Sequence, residues 1–356
     1  MKDLNVVDVR NFMLAGHSGS GKTTLLDTLL FTLGVNDRQG SVVNGSSMAD
    51  YLDEEKKHKT TISAKSFTLV PKLASGRKLQ MTILDTPGFA DFAGQMIQAA
   101  RVAGAMVVIV DAHAGIQVGT LRSWALAEKM ALPVAVLITG LDRENTSYEK
   151  ALTAVQTAWG AACVPMVLPL ADLKSVADVL DATVPAELAT AAAAAKDKLV
   201  EIAAETDDEL TEKFLKEGTL SGEEIARGAR AAMSKRALVP VFAVAALKGV
   251  GMAEFMEGVA RWFPSPLDRP MKDAEGKPVN PSPDAPFVGF VWKTVNDPFV
   301  GPVAFVCVAG GTLKADLDVT NATKGQKEHI VSLLNLAGKK STVMDKATAG
   351  DIVALA

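Results

Sequence analysis

Cysteine is nearly absent from this chain of 356 residues: the two present, Cys163 and Cys307, lie far apart and inside apolar runs. That argues against a disulfide framework and for a reducing compartment. No apolar run approaches the roughly 18 residues a membrane span needs. The first residues, Met1-Lys2-Asp3-Leu4, lack the apolar stretch and small-residue cleavage site of a secretory leader. A cytoplasmic protein with no membrane partner is expected. No cluster of metal-ligating side chains is visible, and charge of neither sign dominates. The formal net charge is −4, and from Pro286 onward seven lysines face six carboxylates. Composition therefore gives no electrostatic case for DNA binding, and any RNA contact has to come from a local patch.

What is present begins with 48% hydrophobic residues, enough for ordinary packing, in a length that accommodates two domains. The most informative stretch is Gly16-His17-Ser18-Gly19-Ser20-Gly21-Lys22-Thr23, a glycine, four free residues, then Gly-Lys-Thr. It follows the apolar run Phe12-Met13-Leu14-Ala15 and opens a segment in which Leu25, Leu26, Leu29, Leu30 and Leu33 recur at helical spacing. Glycines let the backbone curl so that successive N–H groups point inward, and a helix N-terminus adds partial positive charge, so polyphosphate fits. Lys22 is placed to lie along the β/γ-phosphates and the Thr23 hydroxyl to hold Mg2+. The loop alone does not choose between ATP and GTP.

Residues 34–45 carry turn formers without periodicity, and a charged block follows at 50–59. That block reads either as a solvated loop or as a nucleotide-sensing loop ending in Thr61-Ile62, since such switches need a threonine that reaches the metal and the γ-phosphate. Phe67 and Leu69, then Leu79, Met81 and Ile83, alternate around the turn Ser75-Gly76-Arg77 and predict a hairpin. Its second strand runs into Asp85-Thr86-Pro87-Gly88. An apolar strand ending this way, some sixty residues after a phosphate loop, matches the second signature of P-loop GTPases, with Asp85 on a metal-bound water and the Gly88 N–H sensing the γ-phosphate. Residues 104–110 and 133–138 read as buried parallel strands, the second ending in Thr139-Gly140-Leu141-Asp142-Arg143.

Tyr148, Leu152, Val155 and Trp159 mark a helix and residues 163–170 a strand. From 185 to 235 the chain is rich in alanine and acids, with helical periodicity and a capping pattern from Ser221 to Glu224. Residues 238–244 resume the strand pattern, and Met252, Phe255, Met256, Val259, Trp262 and Phe263 line one face of a helix stopped by Pro264. Residues 265–285 hold five prolines and read as a linker. Beyond it, 287–292, 301–308, 317–319, 330–334 and 352–355 are short apolar runs separated by turn formers, which fits a small antiparallel β-barrel. The fold class is thus α/β: a P-loop doubly wound sheet with an inserted helical subdomain, followed by the barrel. The apolar ending, Ile352 to Ala356, suggests a fragment.

Together these motifs resemble elongation factor G, and more closely its divergent bacterial elongation factor G-like paralogues, over nearly the whole chain. The glycine-rich loop, Asp50 with Glu55 and Thr61-Ile62, Asp85-Thr86-Pro87-Gly88 with Asp91-Phe92, and Asp142-Arg143 stand where that family places its nucleotide motifs. Downstream, Val239-Pro240-Val241, Ala246-Leu247-Lys248, the prolines around Asp268-Arg269, Lys293-Thr294, Asp297-Pro298-Phe299-Val300-Gly301 and Ala349-Gly350-Asp351 match as well. The resemblance implies a GTPase domain over residues 1–268 with a helical insertion at about 160–237, a linker over 269–285, and over 286–356 the family's second domain, which touches the ribosome. It implies GTP or GDP held by His17, Ser18, Gly19, Ser20, Gly21, Lys22, Thr23, Thr24, Asp85 and Gly88, with Asp142, Ala245, Ala246 and Leu247 around guanine. Mg2+ falls to Thr23, Thr61 and, through water, Asp85. The family's remaining domains are expected to be missing, and the chain to be a monomer.

Three departures bear on mechanism. Phe89 follows Gly88 where the family usually carries a histidine that positions the attacking water. His17 and His113 are nearby, each more simply read as structural. Thr139-Gly140-Leu141-Asp142 replaces Asn, Lys, any residue, Asp, so Asp142 keeps guanine selectivity while affinity weakens. Ala245 replaces a serine, although the contact there is the backbone N–H of Ala246. The reading is a GTP-hydrolysing, ribosome-associated translation factor. Its alternative is a GTP-gated binding switch with little or no hydrolysis, and a P-loop ATPase would leave Asp142 and the barrel unexplained.

Overall fold

Val-Arg-Asn-Phe-Met-Leu-Ala-Gly forms β1 (Val9–Gly16), buried along its whole length, as a strand covered on both faces of a parallel sheet must be. The computed structural model describes residues 4–181, 183–297 and 301–356. The opening Met1, Lys2 and Asp3, and Pro298, Phe299 and Val300 of the barrel motif, lie outside the described residues. From β1 the glycine-rich loop leads into α1 (Lys22–Thr32), and a long connection reaches the short α2 (Asp53–His58). The hairpin of β2 (Lys65–Leu69) and β3 (Gln80–Asp85) follows. Helices and strands then alternate: α3 (Ala93–Ala100), β4 (Ala105–Asp111), α4 (Val118–Lys129), β5 (Val134–Thr139) and α5 (Tyr148–Trp159).

Next come β6 (Cys163–Pro165), β7 (Val167–Pro169) and β8 (Val176–Asp178), then α6 (Ala189–Ala204), α7 (Asp208–Glu217) and α8 (Gly222–Ser234). The chain returns through β9 (Val239–Ala243) and α9 (Met252–Trp262). Strand order is β2-β3-β1-β4-β5-β9-β6, all parallel except the β2–β3 hairpin. Parallel strands put the loops after β1, β3, β5 and β9 on one edge, where α/β sheets carry their ligands. The layer beneath is aromatic: Phe12 meets Phe255 and Phe263 edge-on at 6.2 and 5.6 Å, pairs worth about 0.5–1.5 kcal/mol each beyond their buried area.

The second unit comprises β10 (Val288–Asp297), β11 (Gly301–Gly310), β12 (Thr312–Lys314), β13 (Leu317–Asn321), β14 (Gln326–Ile330), β15 (Leu333–Ala337), β16 (Lys340–Met344), β17 (Lys346–Thr348) and β18 (Ile352–Leu355). Its pairings with one another are antiparallel. A small core of Val308, Leu313, Ile330, Leu333, Ala347 and Val353 sits within it. The fold is thus an α/β P-loop domain followed by an antiparallel, barrel-like unit. The two are stitched together where Ala337 of β15 pairs with Phe67 of β2, where Gln80 Nε2 donates to Asp351 at 2.7 Å, and where Asn11 Nδ2 donates to the Gly350 carbonyl at 2.7 Å.

Four local expectations change. The charged block at 50–59 is not a loop throughout, because residues 53–58 form α2, with acids in its first turn and bases in its last, complementing the helix dipole. The stretch 163–170 is two strands rather than one: β6 pairs with β9 in the main sheet, whereas β7 pairs with β8 in a separate ribbon. The edge strand β6 therefore lies inside the span read as an insertion, and the helices that leave the sheet occupy 189–234. Residues 330–334 divide between β14 and β15, and β12, β16 and β17 carried no apolar signal. No helix among the described residues is long and apolar enough to cross a membrane.

Candidate functional site

The loop from Gly16 to Thr23 joins β1 to α1 on the carboxyl edge of the sheet, and its cation folds back onto it. Lys22 Nζ donates to the carbonyls of His17 at 2.6 Å and Gly16 at 3.2 Å. Burial lowers the Lys22 pKa to about 8 against the pull of Asp85 and Asp50. Gly88 packs directly on this loop: a Cβ there would stand 2.6 Å from both Lys22 Nζ and the Ser18 nitrogen. Only glycine lets the loop after β3 come so close.

Beside the lysine four side chains converge. Thr23 Oγ1 donates to Asp85 Oδ2 at 3.2 Å, and the Thr23 and Thr61 hydroxyls share a hydrogen bond of 3.0 Å. Asp50 faces the same centre, although the Thr61 hydroxyl that favours its charged form makes no bond of good geometry to it. Burial raises Asp85 to about 7, helped by the negative charge of Asp50, and raises Asp50 itself to about 6. Both Asp50 oxygens, Asp85 Oδ1 and Ser20 Oγ are buried without a hydrogen-bond partner. Buried polar atoms are ordinarily satisfied, so four orphans around one loop mark a place built for a polar or cationic ligand. No group of three or more His, Cys, Asp or Glu among the described residues could hold a metal unaided. Two threonine hydroxyls, carboxylates and ligand phosphates are, however, the hard oxygen donors that Mg2+ takes.

The opposite side of the loop meets β5. Thr139 Oγ1 donates to the Ser20 carbonyl at 3.0 Å, which ties the loop after β5 to the phosphate side. Asp142 follows, half-buried. Ala245 and Ala246 lie buried after β9, whereas Leu247 is exposed. The structure therefore gathers the loop residues with Thr61, Asp85 and Gly88 on one side, and brings Thr139 to the other. Asp50, which the resemblance places with Thr61 among the nucleotide motifs but without a ligand role, faces the same centre, and Thr139, read only as a departure from the base-reading motif, supports the loop. For Asp50 the signal was that resemblance and its place at the head of the charged block that leads to Thr61; for Thr139 it was its position at a strand's carboxyl end.

The sequence model of the Elongation factor Tu GTP binding domain matches residues 7–265, and that of Elongation factor G domain 2 matches residues 286–356. The chain belongs to the elongation factor G-like translational GTPases. A crystal structure from Thermus thermophilus is similar at 30% identity and a TM-score of 0.85 over 98% of this chain. The match covers 52% of that protein, so this chain spans about half its length.

In this translational GTPase Phe89, Gly140, Arg143 and His17 each have a defined setting. Phe89 projects outward, 47% exposed. Gly140 has φ of 71°, and a Cβ there would stand 3.2 Å from Asp111 Oδ1, so any side chain would be strained. Arg143 Nη1 instead pairs with Asp111 Oδ2 at 2.6 Å. His17 plays a structural part, since its Nδ1 accepts the Gly119 N–H at 3.2 Å and holds the start of α4 against the loop.

Proposed function

We propose that this chain is a GTP- and GDP-binding translation factor acting on the ribosome, in the cytoplasm and as a monomer. In this reading residues 1–268 form the GTPase domain, with a helical insertion, and 286–356 the ribosome-facing barrel beyond a linker at 269–285. His17, Ser18, Gly19, Ser20, Gly21, Lys22, Thr23 and Thr24 surround the polyphosphate, Gly88 offers its N–H to the γ-phosphate, and Asp142 with Ala245, Ala246 and Leu247 borders guanine. Thr23 and Thr61 would hold Mg2+ directly and Asp85 through water. A bound Mg2+ supplies charge neutralisation between phosphate oxygens. The observation that carries the reading is the convergence of Lys22, Thr23, Thr61, Asp85 and Gly88, with orphaned carboxylate oxygens among them.

Asp142 makes the discriminating test, since a carboxylate accepting two guanine N–H groups gains charge-assisted bonds of about 1.5–3 kcal/mol that adenine does not offer. GTP is expected to bind at least tenfold more tightly than ATP, and Asp142→Asn to narrow that ratio. Equal affinities would overturn the guanine reading.

A second reading, a GTP-gated binding switch with slow hydrolysis, is favoured by Phe89, whose ring neither donates nor accepts a proton. Phe89→His is expected to raise ribosome-stimulated GTP turnover by about a hundredfold, the low end of what a positioned acid–base group contributes. A wild type already turning over rapidly on ribosomes, unaffected by that substitution, would remove the second reading.

A further inference from the structure

Five consecutive residues that follow α2, Thr61 to Lys65, are held between them by α1, α2, α3 and the second unit. Thr61 shares its hydroxyl bond with Thr23. The Ile62 N–H goes to Glu55 Oε1 at 3.1 Å, and the Ala64 N–H to Gln95 Oε1 of α3 at 2.9 Å. Lys65 forms a buried ion pair with the same Glu55. The remaining tie crosses from the second unit: Lys293 Nζ, on β10, donates to Ser63 Oγ and to the Ala64 carbonyl, both at 2.6 Å.

Lys293 is a costly residue to keep there. It is 8% exposed, its hydrogen-bond partners are neutral oxygens, with the Phe305 ring centroid 5.8 Å from its Nζ, and burial lowers its pKa to about 8, with the Lys65 charge adding to the shift and Glu55 opposing it. A buried cation with neutral partners contributes little net stability compared with an apolar side chain of similar length. What it does supply is direction, since both its bonds fall on the two residues between Ile62 and Lys65.

We infer that Lys293 is a positioning residue contributed by the second unit: by fixing Ser63 and Ala64 it holds Thr61 at the metal and γ-phosphate side of the nucleotide site, so that the barrel sets the preference for GTP over GDP. The inference rests on the proposed GTP site. Thr61 distinguishes the two nucleotides because only GTP presents a γ-phosphate on its side of the loop, and Lys293 acts through Thr61 without touching nucleotide. By the reciprocity of coupled equilibria, bound GTP tightens the barrel's hold on this segment by the same factor.

The test uses the chain with Lys293→Met and, separately, Ser63→Ala, which removes one of the two Lys293 partners with little risk to folding. Affinities for a non-hydrolysable GTP analogue and for GDP are measured by fluorescence titration with Mg2+, alongside amide exchange of the nucleotide-free protein. Lys293→Met is expected to lower analogue affinity about tenfold, within the usual range of coupling between sites, and GDP affinity less than twofold. Ser63→Ala is expected to move the ratio in the same direction by a smaller factor. Exchange at Ile62 and Ala64 should quicken, and in a Thr61→Ala background Lys293→Met should add no further loss of analogue affinity. Equal losses for both nucleotides, or none, would overturn the inference while leaving the GTP reading intact. A wild type that binds neither nucleotide would overturn both.

Discussion

At the scale of single residues, the site is arranged at a cost to the nucleotide-free fold. Asp85 is held near 7 by burial and by the negative charge of Asp50, whereas a carboxylate in the unfolded chain ionises near 4. A raised folded value means that its contribution is fully present below pH 4 and is lost as pH rises through 7. Asp85→Asn should therefore leave the nucleotide-free protein more stable than wild type at pH 8, by up to about 4 kcal/mol, with the difference shrinking toward pH 4. Denaturant titrations at several pH values check this, and a constant offset across the range would contradict it. The same variant is expected to lose Mg2+-dependent nucleotide affinity, the usual exchange of stability for function at a site.

Thr139 gives the opposite case, a small hydroxyl that supports the loop. Thr139→Ala leaves the buried Ser20 carbonyl without that donor, a loss of about 1–3 kcal/mol. Nucleotide affinity should fall while the preference for guanine stays, because Asp142 is untouched. A changed GTP-to-ATP ratio in Thr139→Ala would show that Thr139 does more than hold the loop.

At the scale of elements, legibility followed locality. The glycine-rich loop and Asp85-Thr86-Pro87-Gly88 declare themselves because their chemistry needs particular residues at fixed short spacings. The long strands β1, β4 and β5 declare themselves because burial on both faces demands unbroken apolar runs. In contrast, α2 has one buried residue, Glu55, so no hydrophobic period could reveal it. In β16, four of five residues are exposed, which removes the alternation that identifies a strand. Thr139 to Ser20 and Lys293 to Ala64 join residues 119 and 229 apart in the chain, and no local pattern encodes such pairs.

The capping pattern in the helical excursion is the element-level feature that both levels share. Ser221 Oγ accepts the Glu224 N–H at 3.4 Å, and Glu224 Oε2 accepts the Ser221 N–H at 2.8 Å while pairing with Lys213 of α7. Ser221→Ala is expected to cost about 1 kcal/mol, the usual worth of a helix N-cap, visible as a lower melting temperature. Since α8 packs against α6 and α9 and carries none of the proposed nucleotide residues, nucleotide affinity should be unchanged.

For the whole molecule, the question is whether the two units unfold together. Their junction is polar as well as apolar. Gln80 lies on β3, five residues before Asp85, and its amide satisfies Asp351, whose carboxylate burial keeps above its ordinary pKa. Asn11 lies on β1, five residues before Gly16, and donates to Gly350. The strands that deliver the phosphate loop and Asp85 are thus the ones that grip the turn before β18. Removing either amide leaves a buried acceptor without that donor, a penalty of about 1–3 kcal/mol that falls on the junction rather than on either core. Gln80→Ala with Asn11→Ala should therefore weaken docking while leaving the aromatic layer under β1 and the small core of the barrel as they are. Calorimetry of this double variant is expected to resolve two unfolding transitions where the wild type gives one. Proteolysis should then begin within the proline-rich connection at 265–285, because loss of docking exposes its backbone. If the double variant melts in a single transition at lower temperature, the polar pairs are only part of a junction dominated by apolar packing and by the pairing of Ala337 with Phe67.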